Sequence, residues 1–274
     1  MAFRFIFSFL AAFALSAPLA HAQTWLAPAY PSPTVLGPQK AKGAVIWLHG
    51  RSVDAEDSTA PTPAYMAVLR DGGWDSFRFN RMRVDDTLEK SSVALARVVG
   101  QLKDKGYRKV ALAGQSFGGF LALLAADASN QVDSVIVTAP AAYGSFQDFY
   151  GSWRSNATKL YPLLEQVQSA RVMAFFFHGD DFDPGGRGDR TKDILTQRHI
   201  AHIVVDQPPQ LTTHWAATTP LFTQRFGGCI EGFIDATTLP EDANCRSDAL
   251  IAGAAPTNGG APSHGNAAPQ PSGR

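Results

Sequence analysis

Short apolar runs alternate with amphipathic stretches along most of this chain. Ala44 to Leu48, Val110 to Ala113, Val132 to Ala139, Val172 to Phe177 and His202 to Val205 are dominated by apolar side chains. Runs of this length predict strands buried on both faces, as in a parallel sheet. Phe77 to Val84 reads as a further strand, with Arg78, Arg81 and Arg83 among its apolar positions. Between the runs, Pro63 to Arg70, Thr87 to Lys105, Phe120 to Ala128, Arg190 to His199 and the residues after His214 predict helices. The most regular is Thr87 to Lys105, where Leu88, Val93, Leu95, Val98, Val99 and Leu102 mark the apolar face and Gly106 ends it. Strand and helix in alternation predict an α/β fold: a doubly wound, mostly parallel sheet in a three-layer sandwich.

The ends of the chain have a different pattern. Arg4, the apolar stretch Phe5 to Leu15 and the small-residue site Ala20-His21-Ala22 together read as a secretory signal peptide over 1–22. The apolar stretch is too short to serve as a comfortable membrane anchor. The domain is then expected over 23–250. Its opening residues, Gln23 to Lys42, are rich in Pro, Ala and Gly and leave room for a short edge strand. The last residues, 251–274, are Ala, Gly, Pro, Ser and Asn with almost no large apolar side chain, which predicts a disordered tail.

Charge narrows the function classes. The 24 basic and 24 acidic side chains balance, so nothing favours nucleic acid or an anionic membrane surface as a partner. Export to an oxidising compartment, secreted or periplasmic, changes the reading of the 2 cysteines. Cys229 and Cys245 are close in sequence and are expected to form a disulfide, with two buried thiols as the alternative.

Chemistry concentrates at Gly114-Gln115-Ser116-Phe117-Gly118-Gly119, between an apolar run and a helical stretch. A Gly-x-Ser-x-Gly motif at a strand-to-helix turn holds its serine in a strained conformation, clear of the sheet, and at a helix N-terminus that favours negative charge. With His49-Gly50 closing an earlier strand, and His178-Gly179-Asp180-Asp181-Phe182-Asp183-Pro184 following a later one, the chain resembles the α/β-hydrolase superfamily. The likeness runs from about Ala44 to Phe226 and is greatest to small lidless members, the dienelactone hydrolase-like and carboxylesterase- or thioesterase-like proteins. Dienelactone hydrolases proper use a cysteine nucleophile where this chain has Ser116.

The resemblance implies an order of nucleophile, acid and base along the chain. Of the histidines after the candidate acids, His199 ends a helix, His202 opens a strand and His264 lies in the tail. His214, in the loop past the last strand, is therefore the expected base. The superfamily's acid usually precedes a proline, which favours Asp183; Asp181 is the alternative, and Asp180 reads as a loop-capping carboxylate. Phe117 and Arg51 are expected to supply backbone N–H groups to an oxyanion hole. The acidic stretch Asp180 to Asp189 lacks a complete calcium-loop pattern, so neither metal nor cofactor is expected.

The expected function is a secreted or periplasmic serine hydrolase, monomeric, acting on a small-molecule ester or related acyl compound. A non-catalytic binding protein on the same scaffold is the alternative. Two features stay open. Tyr143, Phe146, Phe149, Tyr150, Trp153 and Tyr161 either wall an apolar pocket or form the core face of a covering helix. Arg78, Arg81 and Arg83 either steer an acidic substrate or, the more ordinary use, pair at the surface with Asp85, Asp86 and Glu89.

Overall fold

The computed structural model describes residues 25–32, 35–51, 60–81, 86–143, 150–240 and 243–245. The segments read as signal peptide and tail, together with Arg83, Asp85, Phe146 and Phe149, lie outside the described residues. Seven strands form one sheet: β1 (Leu26–Pro28), β2 (Ala44–Leu48), β3 (Asp75–Phe79), β4 (Val110–Gln115), β5 (Ser134–Thr138), β6 (Arg171–Phe176) and β7 (His202–Asp206). Their order is β1-β3-β2-β4-β5-β6-β7, parallel throughout except for the edge strand β1. The chain steps outward from β2 to β3, then crosses back to β4 and proceeds to the other edge. The strand order therefore reverses between β2 and β4, and a crevice opens past their carboxyl ends.

Helices α1 (Tyr65–Asp71) and α7 (Pro220–Asp235) cover one face. The other face carries α2 (Leu88–Asp104), α3 (Phe117–Ala128), α5 (Leu160–Gln166) and α6 (Arg187–Gln197), with the short α4 (Trp153–Thr158) leading into α5. Strand residues divide between the two cores with period two. Ala44, Ile46 and Leu48 face the second group, whereas Val45 and Trp47 face α1 and α7. A strand with apolar partners on both faces has no polar positions to alternate, hence its continuous apolar run.

Local signals act as expected in α2, where the Thr87 side chain caps the helix by accepting from Lys90 N at 3.1 Å; such caps contribute about 1 kcal/mol. Its apolar face omits Val93, which is 47% exposed. Strand β3 is shorter and earlier than the predicted Phe77 to Val84. It begins at Asp75, whose buried carboxylate accepts from Leu36 N, Gly37 N and the Tyr107 hydroxyl. Those three donors offset the desolvation of a charge at a strand position. Among the described residues of the 140–170 region, Leu160 and Leu164 of α5 enter the core and the half-buried Tyr161 packs against it. Tyr150 is exposed. Cys229 and Cys245 form a disulfide across a sequence separation of 16, with Cα atoms 5.3 Å apart. It ties the end of the described chain to α7. No helix among the described residues is long and apolar enough to cross a membrane.

Candidate active site

Ser116 stands at the end of β4, the central strand, where the backbone turns abruptly into α3. Its φ of 54° and ψ of −120° lie outside the usual regions for a residue with a side chain. Packing leaves the chain no other path. A Cβ at Gly118 would lie 2.0 Å from the Leu48 carbonyl oxygen, and one at Gly114 would lie 2.3 Å from the Gly118 carbonyl oxygen. Glycine at both positions lets α3 start in contact with the ends of β2 and β4. The turn is held by Ser116 N, which donates to Thr138 O at 3.1 Å, while Ser116 Oγ faces Ala141 O at 3.4 Å. The orphan N–H groups of α3 begin at Phe117, immediately beside the hydroxyl.

Two loops bring the partner groups. The segment after β6 turns at Gly179, φ 67°, and the segment before α7 turns at Thr213, φ 72°. They are joined where Thr213 N donates to His178 O at 2.8 Å. This bond sets His214 opposite Asp180, and His214 Nδ1 lies 2.9 Å from Asp180 Oδ1. The ring of Phe182 covers the imidazole at 4.3 Å between centroids. Both members of the pair are buried, and Gln115, next to the serine, donates from Nε2 to His214 O at 3.3 Å. A carboxylate at Nδ1 selects the tautomer protonated there and leaves Nε2 as the basic nitrogen.

The carboxylate on His214 is thus Asp180, and neither Asp183 nor Asp181. The expected roles are exchanged, and the tightness of the turn is the reason. Asp183 N returns to Asp180 O at 2.9 Å, so the first aspartate after the glycine faces inward and the third points back onto its own loop. Asp183 Oδ1 caps that loop by accepting from Gly185 N at 2.8 Å. Asp181 is exposed. Burial raises the pKa of the Asp183 carboxyl, opposed by the nearby Arg187 guanidinium and the Gly185 N–H. Arg187 is itself buried and donates to Pro140 O at 2.5 Å, which secures the loop that carries Ala141. No sequence pattern marked Arg187.

On the other side of Ser116, residues His49, Gly50 and Arg51 leave β2. A Cβ at Gly50 would lie 3.3 Å from the Ser116 Cβ, so this loop touches the turn at Ser116. A cavity of about 460 Å³ opens beside it, lined by Arg51, Leu88, Glu89, Phe117, Ala142 and Tyr143. Tyr143 thereby serves as pocket wall, with its ring 5.8 Å from that of Phe120. A smaller cavity of about 60 Å³ near Tyr30, Arg70 and Trp74 also touches Asp75, at the amino end of the strands. Arg81 and Asp86 do pair, but in the interior rather than at the surface. No group of three or more metal-ligating side chains occurs among the described residues.

No protein-family model matches the chain, and no curated protein sequence does either. Solved structures do match. The chain is similar to a monoacylglycerol lipase of Paleococcus ferrophilus, with TM-score 0.52 at 13% identity over 72% of this chain and 95% of that one. It is similar to an acetyl ester-xyloside bifunctional hydrolase from Caldicellulosiruptor lactoaceticus, with TM-score 0.52 at 14% identity over 76% and 86% of the two chains. A Pyrococcus furiosus esterase matches with TM-score 0.50 at 14% identity over 70% and 81%. Together with the strand order and the elbow, these likenesses establish the α/β-hydrolase fold.

Proposed function

We propose that this protein is a serine hydrolase that cleaves esters or related acyl compounds through an acyl-enzyme on Ser116. The observation that carries the reading is the buried Asp180–His214 pair, joined through a 2.9 Å bond and tied through His214 O to Gln115, the residue before the strained Ser116. His214 Nε2 takes the serine proton as Oγ attacks the acyl carbon, then returns it to the leaving alcohol. Asp180 keeps the ring oriented and stabilises the imidazolium. Before attack, Oγ exchanges Ala141 O for His214 Nε2, a side-chain rotation of the kind that tightens only with substrate bound.

The oxyanion of the tetrahedral intermediate is received by the N–H groups of Phe117 and Arg51, each worth about 3 kcal/mol in a comparable hydrolase. The groove lined by Phe117, Leu88 and Tyr143 receives a small acyl or alcohol group. The esterases and lipases of like fold support an ester as substrate, although fold alone does not determine chemistry. The sequence over 1–22 supports action outside the cytoplasm, in the periplasm or medium.

A fluorophosphonate should label the protein at a single serine, and a p-nitrophenyl ester should give a burst of one nitrophenol per active site. Ser116→Ala should remove both signals and lower kcat by about 10⁶-fold, as loss of a nucleophile does elsewhere, while the protein stays folded. Retained turnover in that variant would exclude Ser116 as nucleophile. A protein that only binds esters gives neither label nor burst.

A further inference from the structure

Arg81 follows β3 and turns away from solvent; its side chain is 0% exposed. Its planar fork spans two successive main-chain carbonyls. Nη1 donates to His49 O at 2.5 Å and Nη2 to Gly50 O at 2.9 Å. Nε donates to Asp86 Oδ2 at 2.9 Å, and the other oxygen of Asp86 accepts from Ser91 Oγ at 2.6 Å. The guanidinium also stands over the Phe117 ring at 5.2 Å from its centroid. One buried cation therefore holds the main chain of the loop beside Ser116 and touches the ring of the residue that follows it.

The Gly50 carbonyl belongs to the same peptide group as the Arg51 N–H. In a trans peptide these two point in opposite directions. A cation fixed on the carbonyl sets the plane of that peptide and directs the N–H to the far side. A charge-assisted bond to a carbonyl oxygen also draws electron density from the amide, which makes its N–H a stronger donor. Lysine lacks the rigid fork that engages two carbonyls at once. We infer that Arg81 is a positioning residue that holds and polarises the Gly50–Arg51 peptide as one half of the oxyanion site, an inference that rests on the serine-hydrolase reading above. Asp86 balances the buried charge and aims it, and Ser91 in turn orients Asp86. A buried ion pair of this kind is weak as a source of net stability. Its two carbonyl contacts beside a nucleophile give it a catalytic purpose.

The test compares Arg81→Met and Arg81→Lys with the parent, counting active sites by burst titration so that kcat refers only to competent molecules. The variants should show kcat lower by about 10- to 100-fold with KM within about threefold, short of the 10²–10³ expected from complete loss of a donor. A boronic acid, which forms a tetrahedral anion on the serine, should inhibit more weakly by the same factor.

A merely structural role for Arg81 would instead lower the number of titratable sites and the Tm, with kcat per site unchanged. If Arg81→Met does not fold, Arg81→Lys decides, since it keeps a cation opposite Asp86 and removes only the two-carbonyl fork. Unchanged kcat per site and unchanged boronate inhibition in folded Arg81→Lys would overturn the inference. Ser116→Ala separates the two levels. Residual turnover there sinks the hydrolase reading itself, whereas an inert Ser116→Ala beside a fully active Arg81→Lys sinks only the role of Arg81.

Discussion

Ser116 and Asp180 both stand in tight turns just past the carboxyl ends of parallel strands, yet the two turns are built on different principles. At the elbow, the glycines are required by space: added Cβ atoms at Gly114 and Gly118 would collide with main-chain atoms at 2.3 and 2.0 Å. In the acid loop, Gly179, Gly185 and Gly186 have nothing within 4 Å of an added Cβ. They are required by conformation, with φ of 67°, 89° and 77°. The elbow is rigid because backbone packs on backbone. The acid loop holds its shape through side-chain bonds to its own main chain, Asp180 to Phe182 N and Asp183 to Gly185 N. A turn of the second kind leaves the choice of inward-facing carboxylate to a few hydrogen bonds.

Replacing the loop's carboxylates one at a time tests this contrast where the effect is largest. Asp180→Asn should cost about 10⁴-fold in kcat, because the amide presents the wrong partner to His214 Nδ1 and mis-sets the tautomer. Asp181→Asn and Asp183→Asn should stay within a few-fold of the parent, since one is exposed and the other caps the loop. If Asp183→Asn were the damaging change, the loop in solution would differ from the one described.

Next in size is a pair of alanine substitutions. Gly118→Ala sets a methyl against the immovable Leu48 carbonyl and should destabilise by about 3 kcal/mol or more, or prevent folding. Gly185→Ala meets open space and should cost only the left-handed backbone, about 1–2 kcal/mol. Chemical denaturation of the two variants ranks them. Equal destabilisation would remove the distinction between crowding and conformation.

These two kinds of turn also explain what the sequence made legible. The elbow could be read because spatial necessity leaves a motif: glycine before and after the serine, an apolar run on one side and a helix on the other. His214 could be placed because position in a loop after the last strand follows from element order alone. The sheet was legible from runs such as Ala44 to Leu48 that find apolar partners on both faces. Which aspartate meets His214 could not be read, because three aspartates occur within four positions and only the turn decides which faces inward. The Asp183-Pro184 dipeptide pointed to Asp183, whereas Asp180 is the aspartate bonded to His214. Arg81 pairs with Asp86 as its spacing allows, but its burial and its hold on His49 and Gly50 depend on long-range contacts that no local pattern records. The early start of β3 was hidden likewise, since Asp75 reads as polar until Tyr107 and the 36–37 amides arrive to satisfy it.

A third, comparable effect lies in α7 and the chain after it. The Cys229–Cys245 bridge closes a sequence separation of 16 and holds the chain after α7 against that helix. In the chain-entropy picture a loop of this size contributes about 3 kcal/mol. Reduction should therefore lower the Tm by several degrees while the folded fraction keeps its kcat, because neither sulfur meets the reacting groups. A loss of kcat at temperatures where the reduced protein is fully folded would instead tie α7 to the setting of His214.

The smallest effect is the most specific to the acid loop. Burial raises the Asp183 carboxyl above its ordinary value of 3.8, against the opposing pull of Arg187 and the Gly185 N–H. Below pH 3.8 the group is protonated in both folded and unfolded chains, and the stability linked to it is fully present. As pH rises through the folded pKa, the unfolded chain gives up the proton more readily, so that stability is lost and then stays level. Asparagine keeps the acceptor for Gly185 N and does not titrate. The Tm difference between Asp183→Asn and the parent should therefore move in favour of the variant as pH rises across this window, and remain constant above it. Movement toward the parent would mean that the attraction of Arg187 outweighs burial, and that the carboxyl is held below its ordinary value rather than above it.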